Sequence, residues 1–228
     1  MELANGVQMS SQVDCRYFSD RVDAAHKLIE SIPKELFENR DTIVIALSKG
    51  GVVIADIVAK ELESEFDILL IESILAPKNP DLAIAKVSET QDVVIHTALT
   101  NSFDIEDELV YHEAKRVYDK KIISHLYKYR KGQHRKSVKD KAVILVDECI
   151  ETDLTTLVAI KSMIASEAKN VYIATPILDE ISYTNLIQIS DGVYYVHKIR
   201  DYISIEYYYD ELKTLEFEQI ERILEKNE

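Results

Sequence analysis

Ala142-Val-Ile-Leu-Val-Asp-Glu-Cys-Ile-Glu-Thr-Asp-Leu-Thr-Thr156 reads as a buried strand, a polar turn and the opening of a helix. Residues 142–146 are apolar without alternation, as burial on both faces of a sheet demands. The strand then delivers two adjacent carboxylates, Asp147 and Glu148, and a loop rich in hydroxyls leads into a helical pattern over 154–166. A strand that carries polar chemistry at its carboxyl end and runs into a helix is the repeating unit of an open parallel sheet.

The same alternation extends in both directions. Strand-like apolar runs fall at 42–47, 67–71, 92–96, 171–175 and 193–197, and helical periods at 20–32, 51–62, 105–131, 179–189 and, as a polar helix, 216–226. The four prolines, Pro33, Pro77, Pro80 and Pro176, are expected between elements because proline lacks the N–H that a ladder or helix needs. The fold class expected is α/β, a doubly wound, mostly parallel sheet within one domain over 1–228, with its core at 42–200 and a tail over 201–228. A tyrosine cluster in that tail, Tyr202, Tyr207, Tyr208 and Tyr209, is expected to pack it on the domain or on a subunit partner.

With 228 residues and 46% hydrophobic content, the chain can bury one substantial core. It has no apolar run near the ~18 residues of a membrane span, and residues 1–12 lack a basic stretch followed by an apolar one, so a cytoplasmic protein with no membrane partner is expected. Cys15 and Cys149 stand far apart and read as single reduced thiols. The formal charge, 27 minus 41 or -14, opposes a nucleic-acid partner. One local exception is the run over 128–141, where Lys128, Arg130, Lys131, Arg135, Lys136, Lys139 and Lys141 face only Asp140. A solvated helix end explains such a run more readily than a phosphate-facing surface.

Two strand ends carry candidate chemistry. After the first strand, Ser48-Lys-Gly-Gly51 offers backbone N–H groups that an anion can approach closely, with Lys49 adding charge; a tight strand-to-helix turn explains the spacing equally well. At the second, Asp147 and Glu148 suit a diol or Mg2+, and Thr152 and Thr155 suit a phosphate at a helix N-terminus. Taken alone, that loop reads more readily as solvated acids beside a cap supplied by Thr152 or Asp153.

Together these segments resemble the type I phosphoribosyltransferases, in particular a bacterial branch known mainly as predicted phosphoribosyltransferases. The resemblance runs from about Phe18 to about Ile220. Phe18-Ser-Asp-Arg-Val-Asp-Ala-Ala25 is similar to the family's opening helix, and Leu47-Ser-Lys-Gly-Gly51 to its pyrophosphate loop. Ala76-Pro-Lys-Asn-Pro-Asp-Leu-Ala-Ile84 is close to a segment specific to that branch. Residues 143–156 align with the loop that binds phosphoribosyl pyrophosphate (PRPP), and Tyr208-Tyr-Asp-Glu-Leu212 with an aromatic-acidic stretch near the family's end.

The resemblance implies transfer of ribose 5-phosphate from PRPP to a nitrogen nucleophile, with Mg2+ on the pyrophosphate. It also implies a homodimer, a small hood over 1–41 with loop 98–107, and no protein-held metal. Asp147 and Glu148 would face the ribose hydroxyls, Thr152 and Thr155 the 5-phosphate, and Lys49, Gly50 and Gly51 the pyrophosphate. Glu151 would act as general base or as an acceptor near the base. The branch's loop, Asp-Asp-Gly-Ile-Ala-Thr-Gly-Ala-Thr, differs here in both glycines, replaced by Cys149 and Asp153, and Asp153 would set a carboxylate beside a dianionic phosphate. The retained residues in two loops favour an active transferase. The altered glycines favour a degenerate ligand-binding or protein-interaction module.

Overall fold

The computed structural model describes residues 16–227. Cys15 and the start over 1–12 lie outside them.

Five parallel strands form the main sheet in the order β2-β1-β6-β7-β8. They are β1 (Thr42–Ala46), β2 (Glu65–Ile68), β6 (Ala142–Val146), β7 (Asn170–Asp179) and β8 (Gly192–Ile199). β6 is interior, paired in register with β1 (Val44 with Ile144) and β7 (Ile144 with Tyr172). Every residue of β1 and β6 is buried, and the side chains alternate between two apolar layers. Val44, Ala46, Ile144 and Val146 join the layer under α1 (Arg21–Ser31), α2 (Lys49–Glu61) and α8 (Phe217–Glu225). Ile43, Ile45, Val143 and Leu145 join the layer under α6 (Leu154–Ala165) and α7 (Glu180–Leu186). Helices on both faces make the sheet doubly wound, which is why its central strands show no polar alternation.

A second, antiparallel sheet has the order β3-β4-β5, from β3 (Ile71–Ala76), β4 (Asn79–Ser88) and β5 (Val93–Ile95). This corrects the placement of run 92–96: it belongs to this small sheet, not to the parallel one. Run 67–71 is likewise divided, its first part in β2 and Ile71 opening β3. The segment from Ala76 to Ile84 is the tip and return of the β3-β4 hairpin, where the pairing slips between Ile74 and Ala76. α6 packs on β4 and β5 of this sheet, and α4 (Asp107–Val117), which follows the short α3 (Thr97–Ser102), packs on all three strands. The helical run over 105–131 continues from α4 through a π-turn (Tyr118–Ile122) into α5 (Ile123–Arg130).

Two prolines lie inside strands, contrary to expectation. Pro80 stands in the slipped part of β4 and Pro176 in β7, where the pairing with β8 passes from Thr175 to Ile177. A strand tolerates proline where the ladder skips a residue. The basic run is only in part the solvated helix end expected, since Lys128, Lys131 and Lys139 are exposed but each of them, like Arg130 and Lys141, has a partner. Arg130 is buried against Asp67 and Glu89, Lys131 meets Glu225 at 2.6 Å, Lys139 meets Glu167, Lys141 meets Glu65 and Asp41, and Lys128 lies over the Phe217 ring. α1 packs on α2 and across β7 and β8. Among the described residues no helix is long and apolar enough to cross a membrane.

Candidate active site

The site lies where β1 and β6 end side by side. Leu47 N–H donates to Val146 O at 2.9 Å, so the turn into α2 and the loop after β6 leave the sheet together. Ser48 caps α2: its Oγ accepts from Gly51 N–H at 2.9 Å and donates its own proton to Asp147 Oδ1. The Glu148 N–H also donates to Asp147 Oδ1, at 2.8 Å. Burial pushes the Asp147 carboxyl up to about 7, and repulsion from Glu148 adds to this, while the Ser48 hydroxyl and the Glu148 N–H oppose it. A buried carboxyl held near neutrality at a strand end makes Asp147 a candidate site residue and sets it apart from a solvated surface acid.

Glu148 is fixed by Arg21, which the sequence offered only as part of the opening-helix segment, and by Tyr209 of the tail's tyrosine cluster. Arg21, the first residue of α1, donates from Nε to Glu148 Oε2 at 2.6 Å, and its Nη1 donates to Lys213 O at 2.6 Å. The Tyr209 hydroxyl donates to Glu148 O at 3.2 Å. The Glu148 carboxylate lies directly over Gly50, where a Cβ would come within 1.9 to 2.0 Å of it. A Cβ on Gly51 would stand 3.0 Å from Val146 O. Gly51 therefore abuts the backbone of the β6 loop, whereas at Gly50 the space is taken by the movable carboxylate end of Glu148.

Lys49 is exposed and makes no ion pair among the described residues. A second cation comes from the small sheet: Lys86 on β4 donates to Ser73 Oγ at 2.8 Å, and burial lowers its pKa while Asp147 and Glu72 act to raise it. Its signal in the sequence was hidden, because the strand carrying it was not recognised. Ser48, by contrast, carried a readable signal as a hydroxyl just before a helical run.

The loop over 147–156 is stitched to the end of β7, with Ile150 N–H donating to Ile177 O and Asp179 N–H to Ile150 O, both at 2.9 Å. Glu151 and Thr152 are exposed, and Thr155 is half-buried in the first turn of α6. The structure thus brings Lys49, Gly50, Gly51, Asp147 and Glu148 into one cluster, with Thr152 and Thr155 farther along the same loop. Asp153 takes the position before α6 with φ -75° and ψ -11°, ordinary helical backbone, and its carboxylate makes no cap bond. Instead Asn185 Nδ2 of α7 donates to Asp153 Oδ2 at 2.8 Å. The expected side-chain cap is absent, and neither Cys149 nor Asp153 has the positive φ that would call for glycine. Burial pushes the Cys149 thiol up to about 12, which leaves it protonated and inert. Among the described residues no three His, Cys, Asp or Glu side chains converge to hold a metal.

Comparison with known proteins supplies a context for this rim. Residues 18–211 match the family model described as "Phosphoribosyl transferase domain". Two Mycobacterium tuberculosis proteins, each named "Putative phosphoribosyl transferase" (MT0597 and Rv0571c), are 25% identical over 162 residues, which is 71% of this chain and 36% of theirs. The crystal structure of TT1426 from Thermus thermophilus superposes with a TM-score of 0.75 at 25% identity, covering 92% of this chain and 98% of that one.

Proposed function

Because the chain belongs to the phosphoribosyl transferase domain family, we propose that it transfers ribose 5-phosphate from PRPP to a nitrogen nucleophile and releases pyrophosphate. The observation that carries this reading is the meeting of the Ser48 to Gly51 turn with Asp147 and Glu148 at one rim, Gly50 directly beneath the Glu148 carboxylate. In this reading Lys49 and the free N–H groups opening α2 take the pyrophosphate. Thr152, Thr155 and the N–H groups opening α6 take the 5-phosphate, a helix N-terminus being a natural seat for a dianion.

Asp147 and Glu148 accept the ribose hydroxyls. As the C1–pyrophosphate bond breaks, positive charge develops on the sugar and negative charge on the leaving group. Asp147 and Glu148 stabilise the first; Lys49 and Lys86 stabilise the second. Exposed at the outer side of the loop, Glu151 accepts the proton or a hydrogen bond from the incoming nitrogen. The acids do not form a cage for a free cation, since Asp147 Oδ1 already accepts two hydrogen bonds and Glu148 holds Arg21. A Mg2+ carried by the substrate's pyrophosphate beside Lys49 would supply charge neutralisation for the leaving group.

One observation favours the alternative of a module that binds without turnover: the Glu148 carboxylate is already engaged by Arg21 and covers Gly50. Calorimetric titration with PRPP and Mg2+, paired with a pyrophosphate-release assay over candidate bases, separates the two. Saturable binding that is weakened by Asp147→Asn, together with pyrophosphate release dependent on a base, is the expected result. Binding without release with any base tried favours the module, and absence of PRPP binding overturns the reading.

A further inference from the structure

Within the basic run, Arg135 stands apart. It is half-buried, and burial lowers its pKa, yet among the described residues no carboxylate lies within ion-pair distance of it. Its Nη1 donates to Met163 Sδ at 3.3 Å and its Nη2 to Ser166 Oγ at 3.1 Å, both neutral acceptors and the first a weak one. The nearby acids, Asp67 and Glu89, are committed to Arg130. In a chain of net charge -14, a cation withdrawn from water without an acid of its own asks for an anion from outside.

Arg135 lines a cavity of about 590 Å3, ample for a small-molecule ligand. The cavity sits by Ser166, just past the last turn of α6, so the twelve residues of that helix, about 18 Å at 1.5 Å each, separate it from the rim where α6 begins. Lys136 adds a second cation, its Nζ donating to Asn227 O and, among the described residues, pairing with no carboxylate, and Thr90 and Ser137 add hydroxyls. Glu89, the one carboxylate on the wall among the described residues, accepts from Arg130 and from Leu70 N–H. Tyr118, Leu126 and the largely exposed Tyr127 also line it.

We propose that this cavity is a second binding site, for a small phosphorylated ligand whose phosphate pairs with Arg135 and whose flat ring lies against Tyr118 and Tyr127. A guanidinium presents parallel N–H groups that match phosphate oxygens, and aromatic faces suit a planar ring. Nothing in this inference depends on the transferase reading of the rim.

Met163 provides a local reporter. The chain has three methionines, Met1, Met9 and Met163, so methyl-13C methionine labelling yields a spectrum in which Met163→Leu assigns the relevant signal. The protein is titrated with orthophosphate and, separately, with AMP. The Met163 methyl signal is expected to shift saturably with both and at lower concentration with AMP. Arg135→Gln should weaken both by about tenfold or more, the usual worth of a charge-assisted hydrogen bond, while Asp147→Asn leaves them unchanged. Should Arg135→Gln fail to fold, Arg135→Lys keeps the charge without the fork and should weaken AMP binding severalfold. A signal that does not saturate, a response unchanged in the Arg135 variants, or AMP binding no tighter than orthophosphate overturns the proposal.

Discussion

At Gly50 the missing side chain decides where Glu148 rests. An alanine methyl there overlaps the Glu148 carboxylate, which is the movable end of a side chain, so Gly50→Ala should evict it from Arg21 and leave the backbone in place. The expected signature is coupling: Arg21→Ala destabilises the natural protein, measured by urea denaturation, but adds little in the Gly50→Ala background. Asp147 gives a second test. Its carboxyl is raised from 3.8 to about 7 in the folded protein, so the native state holds the proton more tightly than the unfolded chain does. Ionising it therefore costs stability: the cost is absent below about pH 4, grows between about pH 4 and 7, and is complete above. Asn can still accept from Ser48 and from the Glu148 N–H, and it stays neutral. Asp147→Asn should thus be more stable than the natural protein at pH 8, by up to ~4 kcal/mol, with the gain vanishing towards pH 4. A denaturation series across pH that shows a constant difference would remove the burial argument.

The loop after β6 and the run after α5 show how far patterning reaches. Strands β1 and β6 were legible because burial on both faces writes an unbroken apolar run, and Asp147 and Glu148 were legible as acids at the end of such a run. β3 and β4 were not, because they are partly exposed, slip in register and carry Pro80, so neither a continuous run nor a clean alternation marks them. Lys86 was lost with them. Charge patterning misled at 128–141, since partners such as Asp67, Glu89 and Glu225 are distant in sequence. Arg130→Leu should cost ~3 to 5 kcal/mol by stranding Asp67 and Glu89 in the interior. Lys139→Ala, removing an exposed pair with Glu167, should leave the melting temperature unchanged. For Asp153, the bond to Asn185 turns the carboxylate towards α7. Asp153→Gly should then change ribose 5-phosphate affinity by less than about threefold, under ~0.7 kcal/mol; calorimetry showing a tenfold gain would reinstate repulsion at the phosphate.

Across the molecule, the two ends of the described chain meet at the rim. Tyr17 and Phe18 N–H groups donate to Tyr208 O, Asp210 N–H donates to Phe18 O, and Arg21 reaches Lys213 O. Tyr17 stacks on His197 with ring centroids 4.0 Å apart. Tyr208, Tyr209, Ile220 and Leu224 are buried, so deleting residues 201–228 should abolish cooperative unfolding, whereas Tyr209→Phe should cost only the ~0.5 to 1.5 kcal/mol of one hydrogen bond. These end-to-end contacts also set a timetable. Arg21 and Lys213 are 192 positions apart, so at ~5 to 20 residues per second a ribosome needs roughly 10 to 40 s to make the second after the first. Throughout that interval Arg21 lacks its Lys213 contact, and the strap that holds Glu148 is the last part of the rim to be tied. A nascent chain halted before Tyr208 therefore has both Arg21 and Glu148 but none of the tail that latches them.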